Sequence, residues 1–207
     1  YTLLINTSAF IVSAETAKNP LYDPINGFAP VALIGKGPLV LVARKDLPSA
    51  TLSQLLAAAR QKPGALTFAS TGLGGITHLS AELFFQEAGV KLRHIPFTNG
   101  SQATQNVAGG HVDVYLGSLS LALPLARNGT LKSLAITSPK RSRFAPDIPT
   151  AAEGGMPADF SLELWWGIFA PARSPAPAIA EINRQINRLL DQTAVKGLLD
   201  KEGVEPT

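Results

Sequence analysis

Five times along this chain a short apolar run ends in small or hydroxyl-bearing residues: Thr7-Ser8, Ser70-Thr71-Gly72, Thr98-Asn99-Gly100-Ser101, Gly117-Ser118 and Thr137-Ser138. The runs before these tips read as strands, and apolar residues at helical spacing follow most of them. Such β–α alternation predicts a mostly parallel sheet with helices on both faces. In open sheets of this kind ligands bind outside the carboxyl ends of the strands, so the tips are expected to share a crevice. They contain no Asp, Glu, Lys or Arg. A charged ligand there must be held by backbone N–H groups, hydroxyls, helix dipoles and bridging water. The same absence leaves no evident acid–base machinery.

The most informative tip lies within residues 66–79. Residues 66–69 read as a buried strand, and Thr77 starts a helical pattern with Leu79, Leu83 and Phe84 on one face and Glu82 on another. The loop between them holds Ser70, Thr71, Gly72, Gly74 and Gly75. It sits at a helix N-terminus, where amides lack intrahelical partners and the dipole is positive. Glycines let the backbone approach a ligand, and Ser70, Thr71 and Thr77 add hydroxyls. The loop therefore suits a small anion such as a carboxylate, phosphate or sulfate; the alternative is a loop that only turns the chain. Gly72-x-Gly74-x-x-Thr77 lacks the third glycine of a dinucleotide fingerprint. The next strand, over 92–97, ends in Thr98-Asn99-Gly100 without the acidic residue that would hold a ribose.

A chain of 207 residues forms one large domain or two small ones, and 45% hydrophobic content supplies a sizeable core. The net charge is +3 with a pI of about 9.3. Only Lys140, Arg141 and Arg143 cluster, without interleaved aromatics, which argues against a nucleic-acid surface. The absence of cysteine excludes disulfides and thiol chemistry. No apolar run is long enough to span a membrane. The sequence opens without Met, inside a strand-like run over residues 1–5, so an N-terminal part is expected upstream.

The remaining elements follow in order. A polar, mixed segment succeeds Ser8. Residues 31–43 read as two strand pieces or one bent strand. Thr51 caps a helix with Leu52, Leu55, Leu56 and Ala59 inward. Strands are expected over 92–97, 112–116, 131–136 and 164–170, with helices ending near Gly109-Gly110 and Asn128-Gly129 and a helical turn over 150–154. The longest helix opens at the prolines of 171–177 and carries Ile179, Ile182, Ile186, Leu189 and Leu190 on one face. A last helix covers 194–201. Alternation points Trp165 and Trp166 to opposite faces of their strand.

Catalytic constellations fail on inspection. Gly117-Ser118-Leu119-Ser120 lacks the second glycine of a nucleophile elbow. His78, His94 and His111 have no metal spacing and no close carboxylate. His78 falls on the first turn of the helix after the glycine loop, where it lines the crevice or caps the helix. His94 and His111 read as structural.

Several of these pieces together resemble a known family. They are Tyr1-Thr2-Leu3-Leu4 with Thr7-Ser8, Phe28-Ala29-Pro30-Val31, Ser70-Thr71-Gly72-Leu73-Gly74 with His78-Leu79, and His94-Ile95-Pro96-Phe97. Further on come Gly109-Gly110-His111-Val112, Leu134-Ala135-Ile136-Thr137-Ser138 with Lys140-Arg141-Ser142, Asp147-Ile148-Pro149-Thr150, Glu153, and Trp166-Gly167-Ile168-Phe169-Ala170-Pro171. In order and spacing the chain resembles, nearly end to end, the periplasmic solute receptors of tripartite tricarboxylate transporters, the Bug family.

The resemblance implies a two-lobed, type II periplasmic-binding-protein-like α/β fold that closes over a small mono-, di- or tricarboxylate. It implies delivery of that ligand to a membrane permease, no catalysis and no cofactor. It also implies that a strand–loop–helix and a signal peptide lie upstream of Tyr1 and a helix beyond Thr207. Carried over by position, Thr7 and Ser8 would meet the ligand from the first lobe. Ser70, Thr71, Gly72, Gly74, Gly75, Thr77 and His78 would meet it from the second, with Asn99, Gly117 and Ser118 at neighbouring tips. The family often has Asp-Asn where Gly117-Ser118 stand, and the loss of an acid there counts against an amino-acid ligand. Phe97-Thr98 stand in place of the usual Tyr-Lys, which removes a cation from the crevice.

The expected lobes are 1–41 with 165–207, and 42–164. The expected protein is a monomeric periplasmic receptor with no nucleic-acid partner and no membrane insertion. Two alternatives remain on the residues alone: an α/β hydrolase or transferase acting on a small acyl or phosphoryl anion, and the ligand-sensing domain of a transcription regulator.

Overall fold

The structure, a computed structural model, describes residues 2–207. In chain order it runs β1 (Leu4–Thr7), α1 (Ala9–Thr16), β2 (Phe28–Arg44), α2 (Leu52–Gln61), β3 (Thr67–Ser70), α3 (Ile76–Glu87), β4 (Arg93–Pro96) and α4 (Gly100–Ala108). It continues with β5 (Val114–Ser118), α5 (Leu119–Arg127), β6 (Leu131–Ile136), β7 (Glu163–Pro171), α6 (Ala176–Leu190), α7 (Thr193–Glu202) and β8 (Glu205–Pro206). Tyr1, the start of the first expected strand, lies outside the described residues. Two compact units emerge: Tyr1–Gly37 with Leu164–Thr207, and Pro38–Glu163. β2 begins in the first and ends in the second, and it is one continuous strand of 17 residues. Among the described residues no helix is long and apolar enough to cross a membrane.

In the first unit β7 lies between β1 and β2. β1 and β7 pair antiparallel, with Leu4 opposite Phe169 and Thr7 opposite Trp166, and β8 pairs antiparallel with β2. Ile179, Ile182 and Ile186 of α6 pack on Val31, Ile168 and Ala170. The Phe10 ring of α1 stacks on Tyr22 at 5.1 Å and meets Phe28 at 4.9 Å and Phe169 at 5.2 Å. That aromatic cluster fixes α1, a helix that stands where the sequence reads as a polar connector. Leu189 departs from its expected face: it is half exposed while Leu190 is buried. The last turn of α6 can turn only one of two adjacent side chains inward. Trp165 packs toward Phe169, and the Trp166 ring lies against Gly37.

In the second unit β3 pairs parallel with both β4 and β5, whereas β2 pairs antiparallel with β5 and β6. The expectation of mostly parallel sheets is therefore corrected to a mixed sheet. Helical crossovers α3, α4 and α5 keep β3 to β6 running one way. β2 enters from the other unit, wedges between β5 and β6, and runs against them. Leu39, Val40, Leu41, Val42 and Ala43 are fully buried there.

α2 buries Leu52, Leu55, Leu56 and Ala59, and the Thr51 hydroxyl accepts from the Gln54 N–H. α3 buries a different face from the expected one: Thr77, Ser80, Ala81, Phe84 and Phe85 point inward, while Leu79 and Leu83 are 38% and 44% exposed. Ser80 and Ala81 let the helix approach the sheet closely, so small residues rather than the larger leucines define the contact.

At the far end of the unit from the strand tips, the Asp113 carboxylate accepts from Arg44 Nε at 2.9 Å and from both the amide and the hydroxyl of Thr67 at 2.8 Å. Burial alone would raise its pKa, but these donors outweigh it and hold the carboxyl below its usual range. One side chain thus ties β2, β3 and the approach to β5. Asp113→Ala strands the Thr67 amide and should lower the unfolding free energy by about 2–3 kcal/mol. Urea denaturation checks this, and a midpoint unchanged from wild type would contradict it.

Candidate functional site

Because β3 to β6 point the same way, Ser70, Phe97, Ser118 and Thr137 gather at one edge of the second unit's sheet. The register documents this. The Phe97 N–H donates to the Ser70 carbonyl, Ser118 pairs with Leu39, and the Thr137 N–H donates to the Leu39 carbonyl. α3, α4 and α5 start at that edge, so three helix N-termini present amides and positive dipole ends to it. The tip segments 70–77, 97–101, 117–120 and 137–139 carry no Asp or Glu.

The loop between β3 and α3 is held by its own side chains. Gly72 and Gly74 have φ of 131° and 73°, conformations that a side chain would strain. The Ser70 hydroxyl, fully buried, accepts from the Gly72 N–H and bonds His94 Nε2. The Thr77 hydroxyl accepts from the Thr71 N–H at 2.9 Å and shares a proton contact with the Thr71 hydroxyl. His78 Nδ1 accepts from the Gly74 N–H at 3.1 Å, which assigns its neutral-state proton to Nε2, 3.7 Å from Glu82. The hydroxyls of Ser70 and Thr77 and the His78 ring thus shape the loop, rather than standing free as donors.

The amides of Thr71, Gly72, Gly74 and Gly75 are spent within the loop, the last donating to the Gly72 carbonyl. α3 has no side-chain cap at Gly75. Its first helical bond runs from the Leu79 N–H to the Gly75 carbonyl, which leaves the Ile76, Thr77 and His78 amides without intrahelical partners.

Beneath the loop, the His94 ring stacks on His78 at 3.9 Å and on Phe68 at 5.0 Å. Burial first, and His78 second, push the His94 pKa down to about 4. His94 is therefore neutral at pH 7, and its Nε2 is available to the Ser70 hydroxyl.

At the next tips, Asn99 caps α4, its Oδ1 accepting from the Gln102 N–H at 2.9 Å. Ser118 is the half-exposed N-cap of α5 and makes no side-chain cap bond. Gly117 lies under the ring of Tyr115, where a Cβ would sit 2.0 Å from Cε1. Tyr115 is a tip residue that the sequence reading missed; its signal was an aromatic two positions before a glycine on the same strand face. The Thr137 hydroxyl accepts from the Leu39 N–H and donates to the Leu162 carbonyl, pinning the points where the chain enters and leaves this unit.

Thr7 and Ser8 belong to the first unit, where β1 gives way to α1. Thr7 Oγ1 accepts from the Ala9 N–H. Among the described residues Ser8 Oγ is the one buried side-chain polar atom without a partner.

Comparison with known proteins adds a second line. The sequence matches the description "Tripartite tricarboxylate transporter family receptor" over residues 1–207. It is 33% identical over 208 residues to BugT of Bordetella pertussis, covering 100% of this chain and 64% of that protein. The chain is thus shorter than two thirds of that curated relative. Among solved structures, Rpa4515 of R. palustris with adipate superposes with a TM-score of 0.90 at 29% identity, covering 100% of this chain and 69% of that one. MatC (Rpa3494) from Rhodopseudomonas palustris with bound malate gives 0.84 at 32% identity, covering 98% and 69%. The fold is accordingly the α/β fold of periplasmic binding proteins.

The depressed pKa of His94 sets a pH dependence. The unfolded imidazole takes up a proton near pH 6.5, whereas the folded one does so only near 4. Stability from this group is complete above about pH 6.5 and declines as pH falls toward 4. Thermal melts between pH 7 and 4 should show this fall, and His94→Gln, which does not titrate, should make it shallower. Parallel pH profiles for the two proteins would contradict the assignment.

Proposed function

The chain belongs to the tripartite tricarboxylate transporter receptor family, and on that premise we propose that it forms the ligand-binding body of a periplasmic receptor for a small carboxylate. The observation that carries the reading is the convergence of α3, α4 and α5 N-termini on one sheet edge whose tip segments carry no acidic side chain. Such an edge attracts negative charge and has nothing to neutralise an ammonium group, which favours a carboxylic acid over an amino acid. The adipate and malate bound by its structural relatives point to the same ligand class.

In this reading the Ile76, Thr77 and His78 amides at the α3 N-terminus donate to a carboxylate, and the half-exposed loop of Thr71, Gly72, Gly74 and Gly75 leads up to them, held in shape by the Ser70, Thr77 and His78 side chains. Asn99, Gly117 and Ser118 furnish the neighbouring tips. Thr7 and Ser8, half-exposed where β1 gives way to α1, are the candidate ligand contacts of the first unit. The receptor hands its ligand to a membrane permease and performs no chemistry on it. The Ser70–His94 pair does not suggest a nucleophile, because Ser70 is sealed from solvent and no carboxylate orients the imidazole.

A thermal-shift panel tests the reading: mono-, di- and tricarboxylates, amino acids, phosphate and NAD at fixed ionic strength. A carboxylate at about 100 times its Kd should add roughly 2.7 kcal/mol of stability. Amino acids and NAD should leave the melt unchanged. Gly75→Ala places its methyl 3.4 Å from the Gly72 carbonyl and 3.8 Å from Thr71 Oγ1, ordinary contacts at a backbone φ of −74°. It should fold like wild type yet bind the carboxylate about tenfold more weakly. A shift given by NAD or phosphate alone would overturn the reading.

A further inference from the structure

Tyr115 of the second unit is a buried residue whose hydroxyl the packing of the described residues does not use. Tyr115 is 1% exposed, and its hydroxyl makes no hydrogen bond to any described residue. Ser8 Oγ is the one sealed orphan among the described side chains, so the Tyr115 oxygen opens to the surface. A phenylalanine would fill the same cavity, so packing of the ring does not call for the oxygen. Open to the surface, the hydroxyl takes its partner from outside the protein, from water or from a ligand.

Two glycines clear the way to it. The ring leans along β5 over Gly117, where a Cβ would lie 2.0 Å from Cε1 and 2.4 Å from Cζ. The hydroxyl then reaches the first residue of α4: a Cβ on Gly100 would lie 3.2 Å from it, 2.7 Å from Leu121 Cδ1 and 3.9 Å from Thr71 Cγ2. Neither glycine is in the left-handed region, so what the structure uses at both is the missing side chain. Below the hydroxyl the ring belongs to a buried cluster that includes Ala103, Val107, Leu119 and Ala122. The phenol is thus a rigid donor beside the α4 N-terminus. There the first helical bond, from the Ala103 N–H to the Asn99 carbonyl, leaves the Gly100 and Ser101 amides without intrahelical partners.

Resting on the carboxylate-receptor reading above, we propose that the Tyr115 hydroxyl is a ligand-binding group, donating to a ligand oxygen at the α4 N-terminus and selecting ligands with a hydrogen-bond acceptor there. Burial pushes its pKa up to about 12, so it remains a neutral donor throughout the physiological range. Together with the Gly100 and Ser101 amides it forms a set of donors for a ligand oxygen beside the glycine loop that precedes α3. The two sites suit the separate oxygens of a dicarboxylic or hydroxycarboxylic acid.

Tyr115→Phe removes the oxygen and keeps the ring. Calorimetric titrations of wild type and variant should use acetate, succinate, malate, adipate and citrate. For the tightest wild-type ligand the variant should lose about tenfold or more in affinity, with the ligand-free melt unchanged or raised. In wild type labelled with [13C]tyrosine, the Tyr115 Cζ resonance should move on saturation with that ligand. This second readout stands even if the variant folds poorly. Variant affinity within twofold of wild type, or an unmoved Cζ resonance in a saturated sample, overturns the assignment while leaving the receptor reading intact. If wild type binds none of the five acids, the receptor reading falls and takes this assignment with it.

Discussion

The insertion of β2 between β5 and β6 is the constraint on which the second unit depends. Leu39 to Ala43 are fully buried, and both edges of the strand are hydrogen-bonded along their length. Because β2 runs against its neighbours, its entry at Pro38-Leu39 lies at the same edge as the exits of β5 and β6. Thr137 converts that coincidence into a fastening, bonding Leu39 on the strand that enters and Leu162 on the segment that leaves. A clamp between buried backbone groups leaves little freedom to slide the register, since a one-residue slip would turn every buried side chain outward.

Recognition on such an edge requires no charged side chain. Helix N-termini supply fixed partial charge that costs no side-chain entropy to position. The tip side chains spend their hydrogen bonds within the tips: Ser70 with His94, Thr71 with Thr77, His78 with the Gly74 amide, Asn99 with the Gln102 amide. The loop is therefore shaped before a ligand arrives, which lowers the ordering cost of binding. The neutral His94 fits this design, because a cation there would unsettle its stack with His78.

What the sequence made legible follows the range of the interactions involved. The cap at Thr51 and the inward face of α2 are local, written in neighbours three and four residues apart, and the structure shows them as read. The strand tips were legible as a pattern of small residues. The direction of β2 was not, because nothing within a strand encodes which way its neighbours run. The buried face of α3 was misread because Leu79 and Leu83 outweigh Ser80 and Ala81 in hydrophobicity, while the sheet selects for close approach. α1 escaped notice because Ser8 provides no side-chain cap and Phe10 gains its partners from Tyr22, Phe28 and Phe169, distant in sequence. Tyr115 escaped for the same reason: the opening of its hydroxyl at the tips depends on what is missing at Gly117 and at Gly100, the latter on another element.

The central claim is that backbone amides at the strand-tip edge of the second unit hold the ligand. Amide chemical-shift perturbation in a 15N-labelled sample titrated with adipate or malate tests it most directly. The account predicts the largest shifts at the Ile76–His78 amides, with a second group at Gly100 and Ser101. Shifts confined to the opposite end of the sheet, around Thr67 and Asp113, or spread without a centre, would contradict it.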